Sequence, residues 1–376
     1  MDFSLNDIQE MMRDSASKFI QKEYDFETRR KLSKSEDGFS QKNWELFAEL
    51  GWLALPIDED QGGIGGTVLD TIILQEELGK GLVVEPYFPC ILLGANLINS
   101  FASDEQKEAL LGPILEGSKK ITLAHSEGHS PFDISQIKTV AEKTNNGFVI
   151  NGKKSVVLNA QHADELLVVA RTSGNTGDKS GLSVFVVSKD HPGLSIRGYE
   201  TNDGLRAGDV TFVNVTLGAE AVLGTLDDAF GPVQKVLLEG IVNLAGEAVG
   251  IMEKLVDLTG EYLRIREQFN APIGKFQALQ HRCADMFMEK EQAKSMLYFA
   301  AIETAKQNDD YEKACAMLKV RIGNAARFVG QQAVQLHGGM GVTDELSVGH
   351  YFKRLTTLNA MLGSRDYHLN ELVKSA

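Results

Sequence analysis

The sequence predicts an α+β fold in three parts: an N-terminal helical domain over residues 1–118, a small central β-barrel or sheet domain over 119–226, and a C-terminal four-helix bundle over 227–376. Three observations predict it. Apolar residues recur at helical spacing before Ser118, the pattern becomes strand-like from Ile121 to about Leu223, and the helical period returns after Gly231 in long unbroken stripes. The 376 residues exceed the usual size of one domain and can bury a large core.

In the first part, Ile8, Met11, Met12, Phe19 and Ile20 mark one helix, and Ser4 followed by Asp7 reads as its capping box. A second helix is expected from Lys42 to Leu50, stopping at Gly51, and a third carries Ile72, Ile73, Leu74 and Leu78. Between them lies Gln61-Gly62-Gly63-Ile64-Gly65-Gly66. A nucleotide loop would follow a strand and open a helix, whereas a helix-type segment and a turn at Pro56 precede this run, so it reads as a flexible connector.

In the second part, Asn146-Gly147 and Asn151-Gly152 flank Phe148-Val149-Ile150, a strong hairpin signal. Further strands fall at Val156–Leu158, Leu166–Ala170, Val184–Val187 and Val210–Val215, whose β-branched content suits a compact antiparallel sheet or barrel. In the third, Val233, Leu237, Ile241, Leu244, Ala248, Ile251, Leu255 and Leu258 form one stripe ending near Arg266. Long helices follow over Gln277–Gln307 and Tyr311–His337, with a shorter one after Ser364. Short connections between long amphipathic helices argue for an antiparallel bundle.

Hydrophobic residues make up 43% and charged residues 24%, as in ordinary globular proteins. The formal net charge of −14 argues against nucleic acid, whose phosphates require a basic surface. An anionic coenzyme remains compatible, since a local basic patch suffices. No apolar run approaches the roughly 18 residues of a membrane span. The acidic start Met1-Asp2 does not resemble a signal peptide. Cys90, Cys283 and Cys315 are widely spaced, without a metal-ligand pattern, and read as core thiols in a reducing cytoplasm.

Two segments bring chemistry to helix ends. In Arg266-Glu267-Gln268-Phe269-Asn270-Ala271-Pro272-Ile273, Arg266 offers a guanidinium fork matched to a pyrophosphate. Gln268 adds a donor, Phe269 an apolar plate, and Pro272 ends the helix and fixes the loop. Gln335-Leu336-His337-Gly338-Gly339-Met340-Gly341 puts glycines after a long helix. Singly, each segment also reads as an ordinary helix end, with a solvated arginine or a glycine stop.

Together, in this order and two long helices apart, they resemble the FAD-adenosine clamp of the acyl-CoA dehydrogenase family, a resemblance that covers nearly the whole chain. It implies FAD, with Arg266, Gln268, Phe269, Gln335, Gly338 and Gly339 supplied to the adenosine-pyrophosphate half bound by a neighbouring subunit. Leu123-Ala124-His125-Ser126-Glu127-Gly128 resembles the family strand whose hydroxyl faces the flavin, which places Ser126 there. The following His129-Ser130-Pro131-Phe132-Asp133 is bulkier than the family's glycine-rich turn. The family's Trp and Thr that cover and hydrogen-bond the flavin appear as Val156 and Leu158, which offer little stacking area and no donor.

The family's reaction passes the α-proton to a carboxylate and the β-hydride to flavin. Aligned onward from Tyr351-Phe352-Lys353-Arg354, the usual Glu position is Gly363. Some relatives carry the Glu on the long bundle helix. Glu239 lies near that place but one residue out of register, a rotation of about 100°. Asp366, three residues past Gly363, is the other candidate, and also suits the first turn of a helix. Arg365 stands where the family has a threonine near the FAD phosphates, as a phosphate ligand or as surface charge. His337 and His350 read as packed histidines.

The resemblance therefore implies a flavoprotein oxidoreductase for α,β-dehydrogenation of an acyl-CoA thioester, as in fatty acid degradation. The expected form is the smaller chain of a heteromeric enzyme, most similar to the small subunit of pimeloyl-CoA dehydrogenases through Asp203-Gly204-Leu205-Arg206-Ala207 and His350–Leu355. A homologous larger subunit would complete the site, and an electron-transfer flavoprotein would take the electrons. The alternatives are a self-sufficient homotetramer using Glu239 or Asp366, an oxidase of the same fold, and a non-catalytic structural subunit.

Overall fold

A computed structural model describes residues 5–306 and 310–374. In chain order these contain α1 (Asp7–Glu23), α2 (Phe26–Lys34), α3 (Gln41–Glu49), α4 (Val68–Gly81), a π-helix (Phe88–Ala95), α5 (Asn96–Phe101) and α6 (Asp104–Leu115). The strands β1 (Ile121–Ala124), β2 (Val140–Thr144), β3 (Gly147–Leu158), β4 (Glu165–Arg171), β5 (Leu182–Ser188), β6 (Leu194–Glu200), β7 (Arg206–Leu217) and β8 (Val222–Leu223) follow. Then come α7 (Phe230–Ile265), β9 (Glu267–Gln268), β10 (Ala271–Pro272), α8 (Gln277–Lys306), α9 (Tyr311–His337), α10 (Ser347–Ala360) and α11 (Arg365–Lys374). The chain divides into two compact units: Met1–Lys31, Thr67–Val83 and Ile241–Ala376 in one, Leu32–Gly66 and Val84–Gly240 in the other. The predicted α+β class, with helices, a β domain and a helical bundle in that order, is the class observed.

In the unit holding the sheet, the strand order is β6-β7-β3-β2-β4-β5-β8, with β1 paired to β4. Most pairs are antiparallel, but β1 runs parallel to β4, so the sheet is mixed rather than antiparallel throughout. The β2–β3 hairpin turns at Asn145-Asn146, with Thr144 opposite Gly147. Asn151-Gly152 makes no turn: it lies inside β3, where the register against β7 shifts between Ile150 and Gly152. A side chain at Gly152, whose φ is 151°, would strike Thr139, which explains the glycine without a hairpin. Phe148, Ile150, Val168, Phe185, Val210 and Phe212 form the core of this unit. The Phe148 and Phe185 rings meet edge-on at 5.1 Å.

In the other unit, α7, α8, α9 and α10 form the bundle with α4 and α1 against it. The α7 stripe is buried as expected at Ile241, Leu244, Ala248, Ile251 and Leu255. Close approach of α4 and α7 depends on absent side chains. A Cβ at Gly250 would overlap Glu76 O, and one at Gly79 would overlap Glu247 O. Arg354 of α10 donates to Glu247 of α7 through both Nε (2.6 Å) and Nη2 (2.7 Å), with both side chains buried. His350 is packed edge-on to Phe26 at 4.9 Å and lies 3.1 Å from Arg29 Nη1. Tyr351 donates to Lys80 O at 2.5 Å.

Several local expectations need correction. Ser4 and Gln307 lie outside the described residues, and α1 is capped by the reciprocal pair Asn6 and Gln9. Ile8 and Met11 face solvent, because α1 buries only its Ala16 and Phe19 face. α2, the π-helix and α10 were not foreseen. Cys90 and Cys315 are buried, but Cys283 is only half-buried.

Candidate functional site

The clamp segments form one open groove. After α7 ends, β9 and β10 pair with Gln268 opposite Ala271. The two residues between them, Phe269 and Asn270, have φ of 54° and 58°, the pattern of a tight hairpin turn. Ile273 N returns to Arg266 O at 2.8 Å and ties the hairpin to the helix end. Arg266, Gln268, Gln335, Gly338, Gly339 and Met340 line a groove of about 640 Å³. Behind them Tyr262 stacks on His337 at 4.4 Å, and His337 Nδ1 lies 2.8 Å from Ala333 O. His337 is thus a packed histidine, and burial holds its pKa below the usual value.

The guanidinium of Arg266 has no hydrogen-bond or ion-pair partner among the described residues. A Cβ at Gly338 or Gly339 would meet nothing within 4 Å, so the backbone faces open space there. Phe269 is 88% exposed at the hairpin tip, edge-on to Phe276 at 6.0 Å, and does not line the groove. Sequence reasoning missed Arg282, a second cation lining the groove, held by Gln332 Oε1 at 2.9 Å. Its signal was a basic residue in the second turn of the helix following the hairpin.

In the β domain, Ser126 follows β1 and accepts Ser155 N at its carbonyl, 2.9 Å away. The adjacent Glu127 accepts from Lys154 Nζ (2.8 Å), Thr139 N (3.0 Å), Thr139 Oγ1 (2.7 Å) and Lys138 N (2.9 Å). Burial pulls the Lys154 ammonium down to about 8 against the opposing pull of Glu127. Burial raises Glu127, but the Lys154 charge and these donors outweigh it and hold the carboxyl below its usual value. His125, half-buried beside Lys154, is pushed down to about 4 by desolvation and the Lys154 charge and stays neutral near pH 7. Asp133 accepts Ser135 N and Oγ, so it closes the turn that follows Pro131.

Val156 sits at a β3 irregularity with φ of 55° and is 53% exposed, an unfavourable backbone region for a β-branched residue. Leu158 accepts Thr122 Oγ1 at 2.7 Å through its carbonyl. Their side chains present only apolar surface.

The proton-acceptor candidates differ sharply in environment. Glu239 on α7 is partly buried, and its Oε2 accepts Asn96 Nδ2 at 2.7 Å. Burial raises its pKa above the usual carboxylate value, with Lys235 and Asn96 opposing. Asp366 lies 80% exposed at the start of α11, 3.8 Å from Arg365 Nε. Neither Arg365 nor Asp366 lines the groove. Gly363 is buried at φ of 104°, and a Cβ there would overlap His368 Nε2. Ser126 and Glu239 belong to the unit with the sheet, and the groove to the other.

N-terminal helices, a mixed sheet and a helical bundle whose exposed groove is lined by arginine, glutamine and glycine make an α+β chain with a groove suited to a phosphate-bearing group. Sequence models of the acyl-CoA dehydrogenase N-terminal, middle and C-terminal domains match residues 6–118, 122–215 and 230–376. The chain belongs to the acyl-CoA dehydrogenase family, whose members are FAD-dependent oxidoreductases. It is 31% identical over 353 residues to the probable acyl-CoA dehydrogenase YngJ of Bacillus subtilis (strain 168), covering 93% of this chain and 92% of that protein. Butyryl-CoA dehydrogenase from Megasphaera elsdenii superposes with a TM-score of 0.91 at 27% identity, covering 100% of this chain and 99% of that one. The FAD complex of PigA superposes with a TM-score of 0.92 at 25% identity, with the same coverage.

The residues present fit one half of that cofactor. An unpaired guanidinium beside a glutamine and side-chain-free backbone, in an open groove, suits a diphosphate and its adenosine. Val156 and Leu158 carry no polar side chain.

Proposed function

We propose that this chain serves α,β-dehydrogenation of an acyl-CoA thioester as one subunit of a heteromeric enzyme, of the kind exemplified by pimeloyl-CoA dehydrogenases. The carrying observation is the unpaired Arg266 in its open groove, beside Gln268, Gln335, Gly338 and Gly339. These residues hold the adenosine-diphosphate end of FAD bound chiefly by the homologous larger subunit. The apolar Val156 and Leu158 support a partner that supplies the flavin-facing contacts, and Gly363, in place of the usual Glu, supports one that supplies the base. Bound FAD supplies the hydride acceptor, and an electron-transfer flavoprotein of the cytoplasm would re-oxidise the enzyme. Arg365 stays at the surface in this reading, and Phe269 packs against the partner rather than in the groove.

The visible spectrum of the chain purified alone and then co-expressed with a homologous partner tests this. Flavin retained only with the partner is expected. Arg266→Ala should then weaken FAD retention by about 10–100-fold, the loss of a charge-assisted hydrogen-bonding pair. Equilibrium dialysis reads that change, and unaltered retention would sink the clamp assignment.

A second reading is favoured by Glu239, whose raised pKa and partial burial suit a general base. Here the chain works by itself: Glu239 takes the α-proton, while Asp366 is too exposed to keep water from the proton transfer. A flavin band that bleaches with acyl-CoA in the isolated chain would select this reading over the divided site.

A further inference from the structure

The carboxyl group of Glu239 is held from a distant segment of unusual geometry. Residues Phe88–Ala95 are wound as a π-helix, all eight of them buried, and α5 begins directly after it at Asn96. Runs of i→i+5 bonding are rare and cluster at functional sites, because their poorer geometry must be offset by something the site gains. Each i→i+5 bond spans one residue more than its α-helical counterpart and turns the positions downstream, so the direction of the Asn96 side chain follows from this winding. The π-helix is itself fixed against β1: a Cβ at Gly94 would stand 2.7 Å from Ile121 Cγ2, leaving no room for rotation. The outcome is a 2.7 Å bond from Asn96 Nδ2 to Glu239 Oε2 between residues 143 positions apart.

We propose that Asn96, aimed by the π-helix, is a positioning residue that orients the Glu239 carboxylate for taking the α-proton of an acyl-CoA. This rests on the reading in which Glu239 is the base. The amide N–H donates more strongly to a carboxylate oxygen than to the carbonyl oxygen of the acid, so it favours the ionised form. Lys235, one turn earlier on α7, is the charged group acting in the same direction, and burial acts against both. Without Asn96 the carboxyl would stay protonated to higher pH and would lose the bond that fixes Oε2.

The test uses Asn96→Leu, which keeps the volume but removes the donor, Asn96→Asp, which places a like charge, and Asn96→Ser as a smaller donor. Two readouts are followed in the full chain. One is the titration of Glu239 by NMR with ¹³C-carboxyl-labelled glutamate, assigned by loss of the signal in Glu239→Gln. The other is exchange of the α-proton of butyryl-CoA into D₂O across pH.

The expected order of Glu239 midpoints is wild type, then Asn96→Leu higher by about 0.5–1 unit, then Asn96→Asp higher still. Asn96→Ser should fall between wild type and Asn96→Leu, and the acid limb of exchange should move in step. A purely structural role would lower the rate without moving the limb in this order. If Glu239→Gln leaves exchange intact, Glu239 is not the base and that reading fails. If Glu239→Gln abolishes exchange while the Asn96 variants leave both the midpoint and the limb in place, the positioning role alone is overturned. Should Asn96→Leu not fold, the serine and aspartate variants carry the same comparison.

Discussion

Replacing Glu247 with leucine is expected to destabilise the protein by about 3–5 kcal/mol. Arg354 then keeps its charge in a buried position, with the bidentate acceptor at 2.6 and 2.7 Å removed. The cost is the loss of a bidentate carboxylate from a buried guanidinium rather than the worth of the pair, which decides how the result should be read. The double variant Glu247→Leu, Arg354→Met should regain much of the loss, because two apolar side chains of similar size fill the same space without a charge. Urea denaturation of the single and double variants measures this. Equal losses in both would mean that packing around α10, not the charge, dominates. The pair also gives Arg354, within His350–Leu355, a place in the core of the bundle.

Placing a carboxylate at Gly363 should fail. Gly363→Glu is expected to cost about 3 kcal/mol or more, combining a side chain forced to positive φ with an overpacked site. Gly363 has φ of 104°, and its missing side chain faces His368, whose Nε2 lies 2.9 Å from Leu362 O. Lys319 adds to this closure by donating to Leu358 O and Met361 O, both at 2.6 Å. Burial lowers the Lys319 ammonium to about 7. Thermal unfolding of Gly363→Glu in the wild-type and His368→Ala backgrounds separates the two contributions. The part of the clash due to His368 should vanish in the second background, while the close approach to Tyr367 Cδ1 and the backbone strain persist. A Gly363→Glu variant as stable as wild type would show that His368 moves aside freely.

What was legible in the sequence follows the range over which each signal acts. α9 was read at Tyr311–His337 because a single apolar period runs its whole length and glycine ends it. The meeting of Arg266, Gln268, Gln335, Gly338 and Gly339 in one groove was legible because they are contiguous in two short segments, so no tertiary knowledge was needed to group them. The π-helix was not, since eight consecutive buried residues carry no period. α2 was missed because Phe26–Lys34 is mostly charged, and α10 because glycine and threonines interrupt its pattern. The parallel pairing of β1 with β4 lies outside any local pattern, as it joins segments separated by two strands. The same limit hid Asn96: an asparagine in an apolar stretch gives no sign that a glutamate on another helix receives its hydrogen bond. Asn151-Gly152 shows the reverse error, a turn signal spent on a strand irregularity.

The distribution of the three thiols gives the protein an internal clock for its own opening. Cys90 is fully buried in the unit with the sheet and pushed up to about 12 by burial, while Cys315 is fully buried in the other unit. Neither sulfur can meet a reagent until its surroundings come apart, whereas half-buried Cys283 is reached much sooner. Once Cys283 is replaced by serine, the two remaining labelling rates time the breathing of each unit separately, with one natural reporter in each. Adding a partner subunit or FAD would then slow one rate, the other or both, and so reveal which half of the molecule the complex holds shut.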